Sequence, residues 1–255
     1  MSPWTLEGAL EGKVLPKSTP SDFFLSLQGL KVPSGVQQLR ELLQKHNVEA
    51  TGVLHLGAHY GHELESYLKC GFKNIVYVEA NPYIYPVLKK RVDFWTDWTQ
   101  AFSEAYGLNS PVLRAIHAAV GSQDGSVKLH RTEYDMQASL LPPQAKDIRE
   151  VECIDVPGLR VDSLLSMEGF ESRDFSLLHM DIQGAELMAM KSGPKLLENV
   201  KMVLTEVNYE PRYENCPTPD EIDDFLTVRG FRRIFRTGPF PESNYPVGDA
   251  LYIRD

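Results

Sequence analysis

The stretch VLHLGAHYGHE, Val53–Glu63, decides the fold. A short apolar run stops at Gly57, a second glycine follows at Gly61, and the next residues, GHELESYLKCG, carry the spacing of a helix. Strand, tight turn, helix is the opening of a parallel α/β unit, with Gly57 permitting the turn and Gly61 letting the helix approach. His55, His59 and His62 crowd the same ten residues, so the turn is expected to do something a bare glycine turn does not.

Outward from this stretch the alternation continues. NIVYVEA is the next short apolar run, and a strand–helix–strand spacing of this kind implies parallel neighbours. Before it, SGVQQLRELLQKHN places Val36, Leu39, Leu42 and Leu43 on one helical face behind Ser34 as cap. Residues 82–107 read as a long or broken helix with Tyr, Phe and Trp on its face. VLRAIHAAVGS and SVKLHRT, joined through Asp-Gly, read as a hairpin pair, followed by the loop MQASLLPPQ and the extended VECIDVPGL. FSLLHMD and VKMVLTEVN are strands around the helical GAELMAMKSG, TPDEIDDFLTVRG is a capped helix, and FRRIFR and DALYIR close the chain as antiparallel strands. The expected architecture is α/β, an open and mostly parallel sheet covered by helices, over residues 34–255, with 1–33 as an extension.

A chain of 255 residues, 42% hydrophobic and 24% charged, suits one such domain. A net charge of −9 argues against a nucleic-acid binder, which needs a basic surface, and favours a small-molecule acceptor. Cys70, Cys153 and Cys216 are scattered without CxxC spacing, which suits reduced thiols. Neither a signal-like start nor an apolar run of about 18 residues is present, so the expectation is a soluble, cytoplasmic protein away from membranes.

In open α/β sheets ligands bind beyond the carboxyl ends of the strands, where strand order reverses. The first tip carries Gly57 and Gly61; the second carries Glu79, about twenty residues on, where a carboxylate accepts both hydroxyls of a cofactor ribose. A pyrophosphate needs the middle glycine of G-x-G-x-x-G, and His59 stands there; no G-x-x-x-x-G-K-[ST] exists either. A ribose-bearing cofactor without phosphates remains, and S-adenosylmethionine fits. The plainer alternatives are an ordinary turn and a solvated strand end. A metal site on the three histidines matches no strong spacing.

VLHLGAHYGHE, VYVEANP, HAAVGSQDGSVKL, ASLL, RVDSLL and FSLLHMDIQGAELMAMKSG occur in the order seen in the FkbM-like family of S-adenosylmethionine-dependent methyltransferases, which the chain resembles from about Gly52 to Arg236. The most specific piece resembles the family's K-I-D-[VI]-E-G-[AY]-E, with His179 and Gln183 as departures; His55 stands where the family has Asp. The resemblance implies a class I methyltransferase fold with a Rossmann-like seven-stranded sheet and helices on both faces. It implies O-methylation of a sugar or other natural-product hydroxyl. It also implies cofactor contacts from His55, Gly57, Ala58, Gly61, Glu79, Ala80, Ala119, Ser139 and Asp181.

Methyl transfer to an alcohol needs alignment and a route for its proton. Asp181 ends one central strand and Glu206 and Asn208 the next, an all-oxygen set suited to catalysis with or without Mg²⁺. Alternatively the second acid raises the pKa of the first, or His59 or His62 takes the proton. Glu186 reads as a carboxylate on a helix dipole, His179 as a core histidine and His55 as a neutral post bracing the turn, with cofactor affinity falling through the histidine range. Residues 1–33 and 93–106 are expected to cover the acceptor pocket, or to pack on the sheet. The competing readings are a Rossmann oxidoreductase using NAD and a catalytically silent cofactor-binding protein.

Overall fold

The structure, a computed structural model, describes residues 39–238 and 246–254. The extension expected over 1–33, and the helix start expected at Ser34, lie outside the described residues.

The strands are β1 (Gly52–Leu56), β2 (Asn74–Glu79), β3 (Val112–His117), β4 (Ala119–Val120), β5 (Gly125–Thr132), β6 (Glu150–Leu159), β7 (Leu177–Met180), β8 (Met202–Asn208), β9 (Phe231–Arg236) and β10 (Val247–Arg254). The helices are α1 (Leu39–Lys45), α2 (Leu64–Cys70), α3 (Tyr85–Tyr106), α4 (Val161–Met167), α5 (Glu186–Ser192), α6 (Pro194–Asn199) and α7 (Pro219–Thr227). Seven strands form one sheet in the order β3-β2-β1-β7-β8-β10-β9. It is parallel apart from β10, which runs antiparallel to both β8 and β9. This is the class I methyltransferase architecture that the resemblance implied.

The strands are apolar without alternation because both faces are covered. Val53, Ile75, Leu177 and Met202 pack on one face with Leu39 and Leu43 of α1, Leu64 and Leu68 of α2 and Leu88 and Val92 of α3. Leu54, Val76, Leu178 and Val203 pack on the other, under Leu164 of α4, Met190 of α5, Leu197 of α6 and Ile222 of α7. Each such side chain contributes roughly 1.5–3 kcal/mol through burial, which sets the register of the strand tips. Proline near the start of α3 preorganises its first turn, and α3 runs unbroken for 22 residues. α7 opens on a capping box between Thr218 and Glu221.

The hairpin expected through Asp124-Gly125 does not form. β3 belongs to the large sheet, while β5 pairs with β6 in a separate three-stranded sheet of order β4-β6-β5. The Asp124 carboxylate accepts instead from the Arg160 backbone amide at 2.8 Å, fastening the start of α4. The long ladder from Gly125–Gly158 to Thr132–Glu150 supplies more pairing than a strand as short as β4 can offer.

Candidate active site

Strand order reverses between β1 and β7, which lie side by side in register from Val53–Leu177 to Leu56–Met180. The turn after β1 is stitched to both neighbours. Gly57 N and Ala58 N donate to Val78 O at 2.9 and 3.1 Å, and Asp181 N donates to Leu56 O at 3.0 Å. Gly57 has φ +76°, and a Cβ there would lie 1.8 Å from Asp181 O, so only glycine lets the two tips meet. Gly61, at φ +65°, packs instead against Leu88 of α3 and does not line the site.

A cavity of about 250 Å³ opens above these tips. Its walls include His55, Gly57, Ala58, Glu79, Ala80, Ala119, Ser139 and Asp181 of the expected cofactor set, and His59 and His62. Glu79 accepts from His59 N at 2.8 Å through Oε2 and from Asn81 N at 2.7 Å through Oε1. Burial pushes its pKa up while these amides push it back. Each carboxylate oxygen retains a further lone pair.

The floor is histidine. His55 and His179 stack at 4.0 Å between ring centroids, and the Tyr67 hydroxyl reaches Nδ1 of both, at 3.1 and 2.5 Å. One hydroxyl donates to one ring and accepts from the other, so both rings are satisfied while neutral. Burial drives the His55 pKa well below the usual value and that of His179 down to about 4. His55 is thus held by Tyr67 rather than bracing the turn, and its expected titration in the ordinary histidine range is displaced by burial.

Asp181 opens onto the cavity even though protein surrounds it, and this enclosure raises its pKa to about 6. The Gln183 amide donates to Asp181 Oδ1 at 2.7 Å and to Glu206 Oε2 at 3.2 Å. Glu206 therefore stands behind Gln183, and neither it nor Asn208 lines the cavity. Burial, then the neighbouring acids, raise the Glu206 pKa well above the carboxylate range. The oxygen set expected for Mg²⁺ does not assemble, because an amide occupies the space between the two acids. Among the described residues no three His, Cys, Asp or Glu converge in metal-ligand geometry. Glu186 lies behind the same turn, its Oε1 accepting from Ile182 N and Gly184 N.

At the mouth, His59 Nε2 lies 3.4 Å from Asp135 Oδ1 without hydrogen-bond geometry, and the Tyr60 hydroxyl donates to Asp135 Oδ2 at 2.9 Å. Burial, followed by Arg91 and His59, lowers the His62 pKa. The aromatic row of α3, Trp95, Trp98, Phe102 and Tyr106, stacks along its own helix and contributes nothing to the cavity lining. Sequence reasoning missed Glu63, Tyr60 and Asp135, which also line the cavity. Asp135 carried no signal, since it lies 75 residues from Tyr60 and meets it only through the second sheet.

A comparison with protein families matches residues 55–233 to the Methyltransferase FkbM domain. A comparison with curated proteins finds no match. Among solved structures, the FkbM methyltransferase from Methylobacillus flagellatus is similar at 13% identity and TM-score 0.49, with 91% of this chain and 58% of that one covered. An O-methyltransferase from Bacillus cereus, solved with SAH, aligns at 11% identity and TM-score 0.48, covering 96% of each chain. A candidate RNA methyltransferase from Pyrococcus horikoshii aligns at 14% identity and TM-score 0.43, over 92% of this chain and 97% of that one.

Proposed function

Since the chain belongs to the FkbM methyltransferase family and is an S-adenosylmethionine-dependent methyltransferase, we propose that it O-methylates a hydroxyl of a small molecule, a sugar or other natural product, in the cytoplasm. One observation carries the choice of cofactor. Glu63, Glu79, Asp135 and Asp181 line the cavity, and among the described lining residues there is neither Lys nor Arg. Such a wall attracts a cationic sulfonium and repels the pyrophosphate of NAD. Among the described residues no helix is long and apolar enough to cross a membrane.

The residues fit the cofactor. Glu79 has lone pairs left for ribose hydroxyls, the turn at Gly57, Ala58 and His59 leaves room beside it, and Ala80, Ala119 and Ser139 form walls. His55 forms the floor, and Asp181 would face the methionine end of the cofactor. S-adenosylmethionine supplies an electrophilic methyl group; the protein aligns the acceptor and receives its proton. His59 is the base best placed for this. Its imidazole lines the cavity, with Nε2 3.4 Å from Asp135 Oδ1 at the mouth. His62, beside it, is the second candidate. Glu206 supports Asp181 through Gln183. The net charge of −9 favours a small acceptor over RNA.

Incubation with methyl-labelled S-adenosylmethionine, a panel of glycosides and phenols, and bulk RNA tests the acceptor. Label on a hydroxyl of a small molecule is expected, lowered about 100-fold or more in His59→Gln; label on RNA alone would overturn the proposal.

A further inference from the structure

Gln183 is the residue of the site with the most unusual surroundings. It is buried, 6% exposed, and adopts φ +54°, a left-handed conformation that is rare for a residue with a side chain. Four contacts hold it there. Its amide nitrogen donates to Asp181 and Glu206, its Oε1 meets the Tyr213 hydroxyl at 3.0 Å, and its backbone carbonyl accepts from Ser139 Oγ at 2.7 Å. The two acids fix which end of the amide faces them, because only the NH₂ end can serve both. The related motif carries Glu at this place, and a third carboxyl here would meet two others.

The arrangement separates two neighbouring acids into different roles. Glu206 is drawn behind Gln183, with Oε1 left without a partner among the described residues. Asp181 is tethered through Oδ1 alone, and its side chain opens onto the cavity. Of these two acids, the ligand therefore meets Asp181 alone, at a fixed place.

We propose that Gln183 is a positioning residue that, by tethering Asp181, sets the site's preference for the cationic methyl donor over its neutral demethylated product. The inference rests on the cofactor reading above and adds a consequence to it. When the acceptor oxygen takes the methyl group, the carbon–sulfur bond breaks toward sulfur and the acceptor proton goes to the base. The positive charge that Asp181 faced is gone, and the product is held less tightly.

Titration calorimetry of the full chain at neutral pH, with S-adenosylmethionine and S-adenosylhomocysteine in parallel, tests this without any acceptor. The wild type is expected to bind the sulfonium on the order of tenfold more tightly, near the solvated end of the scale for one charge contact. Asp181→Asn should bring the ratio of the two Kd values close to one. Gln183→Met, of similar volume but without the donors, should reduce the ratio at least about threefold, chiefly by weakening the sulfonium. A merely structural role would move both Kd values together. Equal affinities in the wild type, or parallel weakening in both variants, would overturn the proposal while leaving the cofactor reading intact. Binding of neither compound to a folded wild type would overturn both.

Discussion

Tyr67 shows how one hydroxyl serves two buried rings. It satisfies His55 and His179 together while both rings are neutral, donating to one and accepting from the other, and burial holds both pKa values down. Because the folded pKa values lie below the unfolded value, the unfolded chain binds more protons at mild acidity. The histidines' contribution to stability is therefore full above about pH 6.5 and falls as pH drops toward the His179 pKa of about 4. This acid slope should be shallower in His179→Gln, as measured by denaturant unfolding at stepped pH. Tyr67→Phe leaves both Nδ1 atoms without this partner and should cost about 1–3 kcal/mol in the same measurement. Glu79→Gln keeps the shape but exchanges an acceptor for a donor, and should weaken S-adenosylmethionine by about 1.5–3 kcal/mol, roughly 10- to 150-fold, in calorimetry. That His55 and Glu79 would line a cavity beyond the strand ends was legible from their places in β1 and β2. The pairing of His55 with His179 was not, because nothing local reveals which strand lies beside β1.

At the level of elements, two strand-to-helix turns face each other, one after β1 and one after β7. Gly57→Ala would drive a methyl group into the Asp181 carbonyl at a left-handed backbone position. It should destabilise the fold by roughly 3 kcal/mol or more and abolish cofactor binding even where the variant remains folded, read by thermal melting and calorimetry. The second turn is held by Glu186, whose pKa burial raises to about 7. Its sign is opposite to that of the histidines. A raised carboxyl pKa means that the folded state binds the extra proton, so stability is greatest below the unfolded value and falls as pH rises through about 7. Glu186→Gln retains an oxygen for the Ile182 and Gly184 amides, and should remove a penalty of about 3 kcal/mol that the wild type shows by pH 8. Unfolding curves that lose stability equally in both proteins would contradict this. Both turns were legible because the glycines and the D-I-Q-G-A-E string are local signals. The reading of Glu186 as a carboxylate on a helix dipole caught its position at the first turn of α5, while its two backbone partners needed the folded turn.

Across the whole molecule, the order of strands and helices in the large sheet followed from apolar runs, each bounded by turn residues and buried on both faces. The small sheet escaped because β4, β5 and β6 are short or half exposed, and their pairing depends on a ladder between residues some thirty apart. The loop from Asp135 to Ser139, which follows β5, supplies one wall of the cavity, so misplacing β5 also hid Asp135. The resulting cavity has an acidic wall, a neutral histidine floor and a glycine turn at its centre, which suit the cationic, ribose-bearing ligand proposed above. Titration calorimetry of the intact chain with S-adenosylmethionine and, separately, NAD⁺ tests that most directly. The predicted result is saturable binding of one S-adenosylmethionine per chain, lost in Gly57→Ala and weakened in Glu79→Gln, with no heat from NAD⁺; binding of NAD⁺ in place of S-adenosylmethionine would contradict the account.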